Sequence, residues 1–175
     1  MELKAYIRDV PDFPAAGIVF RDITPLLHEP SALAYALDAM TSRVEALAGG
    51  LRPDAIVAIE SRGFLFGLPI ALRLGVPFVP VRKPGKLPSA RMSVEYALEY
   101  AQGQLDIHAD ALAAGQRAVI VDDVLATGGT ARAACELVGM LGAEAVGAVF
   151  LLELEALGGR AVVAPVPVRA VVGYE

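Results

Sequence analysis

Residues 119–130 read Val-Ile-Val-Asp-Asp-Val-Leu-Ala-Thr-Gly-Gly-Thr, and this run combines three local patterns. The apolar residues predict a buried strand that ends in two acids, and the small residues after them predict a loop at 126–130 that opens onto a helix at 130–141. Alanine and glycine let a backbone approach an anion closely, and the first turn of a helix presents N–H groups without partners inside the helix. The run therefore predicts a phosphate-binding loop between a strand and a helix.

The two acids of this run, Asp122 and Asp123, narrow the class of ligand. Carboxylates repel a phosphate placed against them, so we expect them to face sugar hydroxyls or a cation beside the sugar. No lysine follows the glycines, which excludes a Walker A loop, and the chain has no Gly-x-Gly-x-x-Gly run of the dinucleotide-binding type. An acid pair beside a phosphate loop predicts a site for a sugar 5-phosphate.

On both sides of this run, strand patterns alternate with helix patterns, which predicts an α/β fold whose central, mainly parallel sheet is flanked by helices. Ligands of such sheets bind beyond the carboxyl ends of the strands, so the loops at 60–63 and 122–130 are the expected site. A short helix is expected over 2–9 and irregular chain over 11–30. The sequence predicts strands at 55–59, 76–81, 117–121 and 145–152 and an antiparallel pair at 96–100 and 104–108. It predicts a helix that follows Pro30 and is stopped by Gly49 and Gly50, and further helices at 64–74 and 130–141.

Composition limits the class of protein and its partners. The 175 residues are 55% hydrophobic, which fits one domain over 1–175 with an ample core. The net charge of -5 argues against a nucleic-acid partner. Cys135 is the only cysteine and reads as a core residue, and no apolar stretch reaches the length of a membrane span. We therefore expect a cytoplasmic protein without membrane or nucleic-acid partners.

Three motifs together resemble one known family. The run at 119–130 is similar to the phosphoribosyl pyrophosphate (PRPP) signature of the type I phosphoribosyltransferases. Residues 13–27, FPAAGIVFRDITPLL, resemble the N-terminal hood of the adenine-type members, with Ala16 where proline is common, and residues 60–67, ESRGFLFG, resemble another of their motifs. The resemblance implies the type I phosphoribosyltransferase fold, with a small N-terminal hood at about 1–30 and a mobile closing loop at about 83–100.

The implied reaction is purine salvage, in which adenine and PRPP give AMP and pyrophosphate. The resemblance also implies a homodimer and Mg²⁺ held mainly by PRPP and water, with no direct protein ligand. One alternative is another PRPP-dependent transferase that uses a different purine or orotate, against which the hood and the ESRGF run argue. The other is a PRPP-binding regulator, which should carry a basic nucleic-acid surface that this acidic chain lacks.

The family's site residues transfer to matching positions here, and the loop at 60–63 is implied to contain a cis peptide that does not involve proline. Asp122 and Asp123 would stabilise positive charge on the ribose, and Glu99 would carry a proton for the base with Tyr100 beside it. The other implied sites are the phosphate site, with Ala126, Thr127, Gly128, Gly129 and Thr130; the pyrophosphate site, with Ser61, Arg62, Arg82, Lys83 and Lys86; and the adenine site, with Val19, Phe20, Arg21, Arg62 and Leu154.

Overall fold

The computed structural model describes residues 1–97 and 102–175 of the chain. These residues form two compact units, Met1–Ala39 and Met40–Glu175. The expectation of one domain over 1–175, with a hood at about 1–30, stays a prediction.

The first unit contains an antiparallel pair of short strands that the sequence did not predict. Residues 2–9 were expected to be helical and 11–30 irregular, and both expectations are wrong where the strands pair, because a hairpin depends on cross-strand contacts rather than on local periodicity. Its elements are a 3-10 helix at Leu3–Tyr6, β1 at Arg8–Pro11, β2 at Val19–Asp22, α1 at Thr24–His28, and the start of α2, which spans Pro30–Leu47.

The second unit follows the predicted alternation of strands and helices. Most bounds agree with the sequence within a few residues. The first strand of the antiparallel pair differs, because it begins at Arg91, inside a segment expected to be loop, and positions 98–100 of its predicted range lie outside the described residues. The elements are β3 at Ala55–Ile59, α3 at Gly63–Leu74, β4 at Phe78–Val81, β5 at Arg91–Ala97, β6 at Gln102–His108, β7 at Arg117–Leu125, α4 at Gly129–Met140, β8 at Glu144–Leu154, a 3-10 turn at Glu155–Leu157, α5 at Gly159–Val163 and β9 at Val168–Tyr174.

Five parallel strands form the central sheet, in the order β4-β3-β7-β8-β9. The chain leaves β3 toward one edge of the sheet through α3, and it leaves β7 toward the other edge through α4. Right-handed crossovers in opposite directions place these two helices on opposite faces. The strand order thus reverses between β3 and β7, and the crevice beyond their carboxyl ends is where ligands bind in sheets of this kind.

Both faces of the sheet are covered, as the apolar strand runs predict. Val57 and Ile59 of β3 belong to the core cluster that also contains Leu137 of α4. On the other face, α3 lies so close that a Cβ on Gly67 would be 2.5 Å from the Cβ of Ala58. The expected α/β fold with a parallel sheet between helices is confirmed.

The carboxyl-terminal elements α5 and β9 were missed. Pro165 and Pro167 precede β9, and prolines at such positions argue against a strand. In addition, β9 is an edge strand in which buried and exposed residues do not alternate regularly. Among the residues that the structure describes, no helix is both long and apolar enough to cross a membrane.

Candidate active site

The loop between β7 and α4 presents a row of backbone N–H groups. Gly128 has a left-handed φ of 86°, and α4 begins directly after it. In α4 the Arg132 N–H donates to the Gly128 carbonyl at 2.9 Å, whereas the amides at 127–130 find no hydrogen-bond acceptor in the described part of the chain. Free amides at a helix start, backed by the positive end of the helix dipole, are suited to an anion such as a phosphate.

The acid pair lies at the carboxyl end of β7, next to this loop. The Asp123 N–H donates to Asp122 Oδ1 at 2.9 Å, and the Asp123 residue is only 4% exposed. Burial, followed by the charge of Asp123, raises the pKa of Asp122 well above its usual range. Burial also raises the pKa of Asp123, although the guanidinium of Arg62 opposes the shift. Asp123 is buried and Asp122 is half-buried, so a positively charged ligand would stabilise the ionised form of both acids.

Arg62 links the loop after β3 to this acid pair. Its Nε lies 2.7 Å from Asp123 Oδ2, and its side chain remains 42% exposed. The same loop contains a cis peptide between Glu60 and Ser61, as the resemblance implies. The loops at 60–63 and 122–130, which the sequence predicts as the site, therefore meet at one place.

Gly63, the first residue of α3, makes room for Asp122. A Cβ at this position would lie 2.8 Å from the Val121 carbonyl oxygen and 2.9 Å from Asp122 Oδ1. Real Cβ atoms do not tolerate such contacts with backbone, so any larger residue must displace the acid or the helix. The glycine of the ESRGF run has a steric role beside the acid pair.

Glu60 holds the start of the segment that follows β4. Its Oε2 accepts hydrogen bonds from Arg82 Nε at 3.1 Å and from the Lys83 amide at 2.9 Å. Burial raises the pKa of Glu60, but these donors outweigh it, and the pKa lies below its usual value. Glu60 is thus an ionised acid that anchors two of the predicted pyrophosphate ligands.

A cavity of about 470 Å³ joins these features, a size typical of small-molecule sites. Most of the predicted phosphate, pyrophosphate and ribose residues line it. The lining residues are Glu60, Ser61, Arg62, Lys83, Tyr96, Leu105, Asp122, Asp123, Val124, Leu125, Ala126, Thr127, Gly128, Thr130 and Ala131.

Several predicted site residues lie outside this lining. Gly129 is the first residue of α4, directly after the loop. Leu154 is half-buried at the end of β8. Arg82 turns its Nε to Glu60 and Lys86 is exposed on the segment beyond it. The predicted ligand contacts of these residues stay predictions.

The predicted adenine residues Val19, Phe20 and Arg21 lie on β2 of the first unit. Phe20 packs edge to face against Phe13, with ring centroids 5.3 Å apart, and Arg21 forms an ion pair with Asp9. The predicted proton carrier Glu99 and its neighbour Tyr100 are outside the described residues.

Tyr96 and Leu105, from the β5–β6 hairpin, also line the cavity, and sequence reasoning missed them. Tyr96 lies directly over its cross-strand partner Gly103, where a Cβ would be 2.6 Å from the ring. The pairing of a tyrosine with a glycine across the hairpin could have predicted that Tyr96 lines the site, but only once the register of the two strands was known.

A divalent metal would find only part of a coordination shell in the protein. Within residues 1–97 and 102–175 there is no group of three or more His, Cys, Asp or Glu side chains arranged to hold a metal ion. The oxygen atoms of Asp122 and Asp123 suit a hard cation such as Mg²⁺, which commonly keeps water and substrate oxygens as its other ligands. The residues present fit a metal that arrives with its substrate.

Comparisons with known proteins agree with this geometry. Residues 26–162 match the family model of the phosphoribosyl transferase domain. An adenine phosphoribosyltransferase of Rippkaea orientalis is 53% identical over 174 residues, covering 99% of this chain and all of the relative. One of Gloeobacter violaceus is 56% identical over 161 residues, covering 92% of each chain.

Solved structures of the same enzyme are also similar. The crystal structure of adenine phosphoribosyltransferase from Thermoanaerobacter pseudethanolicus superposes with a TM-score of 0.94 at 48% identity, covering 99% of this chain and 98% of the other. The Saccharomyces cerevisiae enzyme, in complex with an imino-altritol bisphosphate and adenine, gives 0.92 at 43% identity, covering 97% and 96%. The chain belongs to the phosphoribosyltransferase family and, within it, to the adenine phosphoribosyltransferases.

Proposed function

We propose that this protein transfers the 5-phosphoribosyl group of PRPP to N9 of adenine, giving AMP and pyrophosphate in purine salvage. The observation that carries the proposal is the loop of free amides at 127–130 beside the acid pair, in a cavity large enough for a phosphorylated sugar. The yeast relative binds adenine and a sugar-like bisphosphate, the two kinds of ligand that the reaction requires.

In this proposal the amides after β7 hold the 5-phosphate of PRPP and so fix the position of the ribose. Ala126, Thr127, Gly128, Gly129 and Thr130 contribute through the backbone, with the two threonine hydroxyls as further donors. Because Asp122 and Asp123 repel the phosphate, the ribose hydroxyls face them. The phosphate and the acids together orient C1 of the ribose toward the loop at 60–63.

The reaction breaks the bond between C1 and the pyrophosphate oxygen and forms the bond between C1 and N9 of adenine. Positive charge develops on the ribose as pyrophosphate leaves, and the carboxylates of Asp122 and Asp123 on the cavity wall stabilise that charge. Ser61, Arg62 and Lys83 on the cavity wall, with Arg82 and Lys86 nearby, bind the leaving pyrophosphate. When bound with PRPP, Mg²⁺ would supply positive charge that neutralises part of the negative charge of the leaving pyrophosphate.

Adenine recognition is assigned to Val19, Phe20 and Arg21 of the hood, with Arg62 and Leu154. Phe20 stacks on the ring, and backbone groups of Val19, Arg21 and Arg62 meet the donor and acceptors of the adenine edge. Glu99, beside Tyr100 on the closing loop at about 83–100, takes the proton that N9 loses. The closing of that loop shields the reacting groups from water.

The protein is proposed to act in the cytoplasm as a homodimer. Leu65, Leu68 and Leu72 form a stripe along one side of α3 and are 46%, 46% and 73% exposed. An apolar stripe of this kind is typical of a protein interface. In such a dimer Arg82 or Lys83 of one subunit would reach the pyrophosphate of the other, in addition to the Lys83 that lines that subunit's own cavity. Light scattering coupled to gel filtration tests the dimer, and a mass of one chain would contradict it.

The function is tested by mixing the protein with PRPP, Mg²⁺ and one base at a time and measuring nucleotide by chromatography. We expect AMP from adenine, with hypoxanthine, guanine and orotate giving at least about 100-fold lower kcat/KM, because the site's hydrogen-bonding groups are unpaired with the wrong base. Preference for another base would make the protein a different PRPP-dependent transferase. PRPP binding without product from any base would favour a regulator.

A further inference from the structure

We propose that Glu153 and Arg160 are positioning residues that hold the phosphate-binding loop from behind through α5. The proposal rests on the proposed function, because it assigns these residues to the affinity for the phosphate of PRPP and AMP. Neither residue lines the cavity, so their effect on the ligand passes through the loop.

The ion pair between the two residues is bidentate and largely buried on the acid side. Arg160 Nε and Nη2 lie 2.8 Å and 2.5 Å from the two carboxylate oxygens of Glu153, which is only 5% exposed. Arg160 Nη1 also donates to the Val168 carbonyl at 2.7 Å. One guanidinium thus ties α5 to β8 and to the start of β9, and a planar fork of donors is needed for all three bonds.

Glu153 lies on the strand beside the origin of the loop. In the register of β7 with β8, it is paired with Leu125, the last residue of β7 before the loop. The carboxylate therefore fixes α5 to the sheet at the point where the phosphate loop leaves the sheet.

The other side of α5 contacts the loop itself. A Cβ on Gly128 would lie 2.5 Å from the Gly159 carbonyl oxygen and 3.0 Å from the Val162 Cβ. A Cβ on Gly159 would in turn meet the Ala126 carbonyl oxygen. The two backbones are packed glycine to glycine, so a shift of α5 moves the loop with it.

The first turn of α4 also contacts α5. Arg132 Nη1 donates to the Val162 carbonyl at 3.2 Å. Amides at the start of a helix bind phosphate well only when they converge on one point, and a displacement of about 1 Å is enough to weaken such a site. The Glu153–Arg160 pair supplies that rigidity from outside the cavity.

The test uses the full-length protein with Glu153→Gln, Arg160→Lys and the double variant, measured with PRPP, adenine and Mg²⁺, and by calorimetric titration with AMP. We expect the KM for PRPP and the Kd for AMP to rise about tenfold in each single variant. The KM for adenine and kcat should change less than about twofold, because the phosphate contact is made equally in the ground and transition states. The double variant should be no worse than the worse single one, since both changes break the same unit.

Asp54→Ala is the matched control. Asp54 Oδ2 accepts the Arg117 amide at 2.7 Å at the amino end of β7, so its loss weakens the same sheet far from the loop. It should lower the Tm without changing the KM for PRPP. Arg160 is half exposed, so Arg160→Lys keeps the experiment decisive if Glu153→Gln does not fold. An unchanged KM for PRPP in Arg160→Lys overturns the proposal, whereas a wild-type protein that makes no AMP overturns the proposed function instead.

Discussion

Arg62 Nε lies 2.7 Å from Asp123 Oδ2, and this ion pair joins the loop after β3 to the end of β7. The two strands are neighbours at the point where the strand order reverses. Arg62 thus compensates one buried acid while its half-exposed side chain still reaches the cavity. In the proposed reaction, the same contact links the ribose-facing acids to the pyrophosphate loop.

Asp123→Ala should abolish most activity at little cost in stability. The change removes a carboxylate whose burial raises its pKa, which offsets the loss of the ion pair, and the released Arg62 can be solvated. We expect kcat to fall at least about 100-fold and the free energy of unfolding to change by less than about 1 kcal/mol. Urea unfolding and steady-state kinetics measure the two quantities. Parallel losses of both would identify Asp123 as a structural acid.

Asp122→Asn should stabilise the folded protein at high pH. The folded-state pKa of Asp122 lies above its usual 3.8, so the folded protein loses stability as pH rises from 3.8 through that raised pKa. Asparagine removes the charge, while its Oδ1 can still accept the hydrogen bond from the Asp123 amide. The Tm difference between variant and wild type should be small near pH 4 and positive at pH 8, at about 2–4 °C per kcal/mol. Calorimetry at both pH values tests this. A variant that melts below the wild type at pH 8 would rule out the charge penalty.

Gly128→Ala should destroy phosphate binding for a steric reason. Its φ of 86° disfavours any side chain, and a Cβ would also lie 2.5 Å from the Gly159 carbonyl. Gly115→Ala is the control, because Gly115 has a similar φ of 81°, but its added Cβ would have no atom within 4 Å apart from those of its chain neighbours. Both variants should lose about 1–2 kcal/mol from the left-handed conformation, but only Gly128→Ala should lose more and bind AMP at least about 100-fold more weakly. Equal AMP affinity in the two variants would contradict the packing account.

Gly63→Ala should lower turnover by moving Asp122. The added methyl group would contact Asp122 Oδ1 at 2.9 Å and the Val121 carbonyl oxygen at 2.8 Å. We expect kcat to fall about 100-fold. Gly139→Ala on α4 is the control, because its added Cβ would contact no atom beyond its own helix within 4 Å. This variant should have a free energy of unfolding about 0.5–1 kcal/mol higher than the wild type, with normal kinetics. If Gly63→Ala retains full kcat, the position of Asp122 is less constrained than the contacts imply.

The sequence was most informative where one local pattern carried the structure. The apolar strand, the acids and the small-residue loop at 119–130 are contiguous, so β7, the loop and the start of α4 could all be predicted from them. The ESRGF run likewise predicted the loop after β3. The helices between the strands predicted that the strands run parallel to one another.

The features that were missed depend on contacts between residues on different elements. The β1–β2 hairpin requires Arg8 to pair with Asp22, and Tyr96 enters the cavity only because of its register with Gly103. The Glu153–Arg160 pair links a strand to a short helix that has no periodicity of its own. Such pairs become a signal only once the register of the strands, or the position of the short helix, is known.

A crystal structure of the protein with AMP would show directly which groups hold the phosphate. We expect the 5′-phosphate oxygens within about 2.7–3.2 Å of backbone nitrogens at 127–130, with the ribose hydroxyls turned toward Asp122 and Asp123. A phosphate bound elsewhere, or a ribose that presents its phosphate to the acids, would contradict the central claim that this loop holds the sugar phosphate.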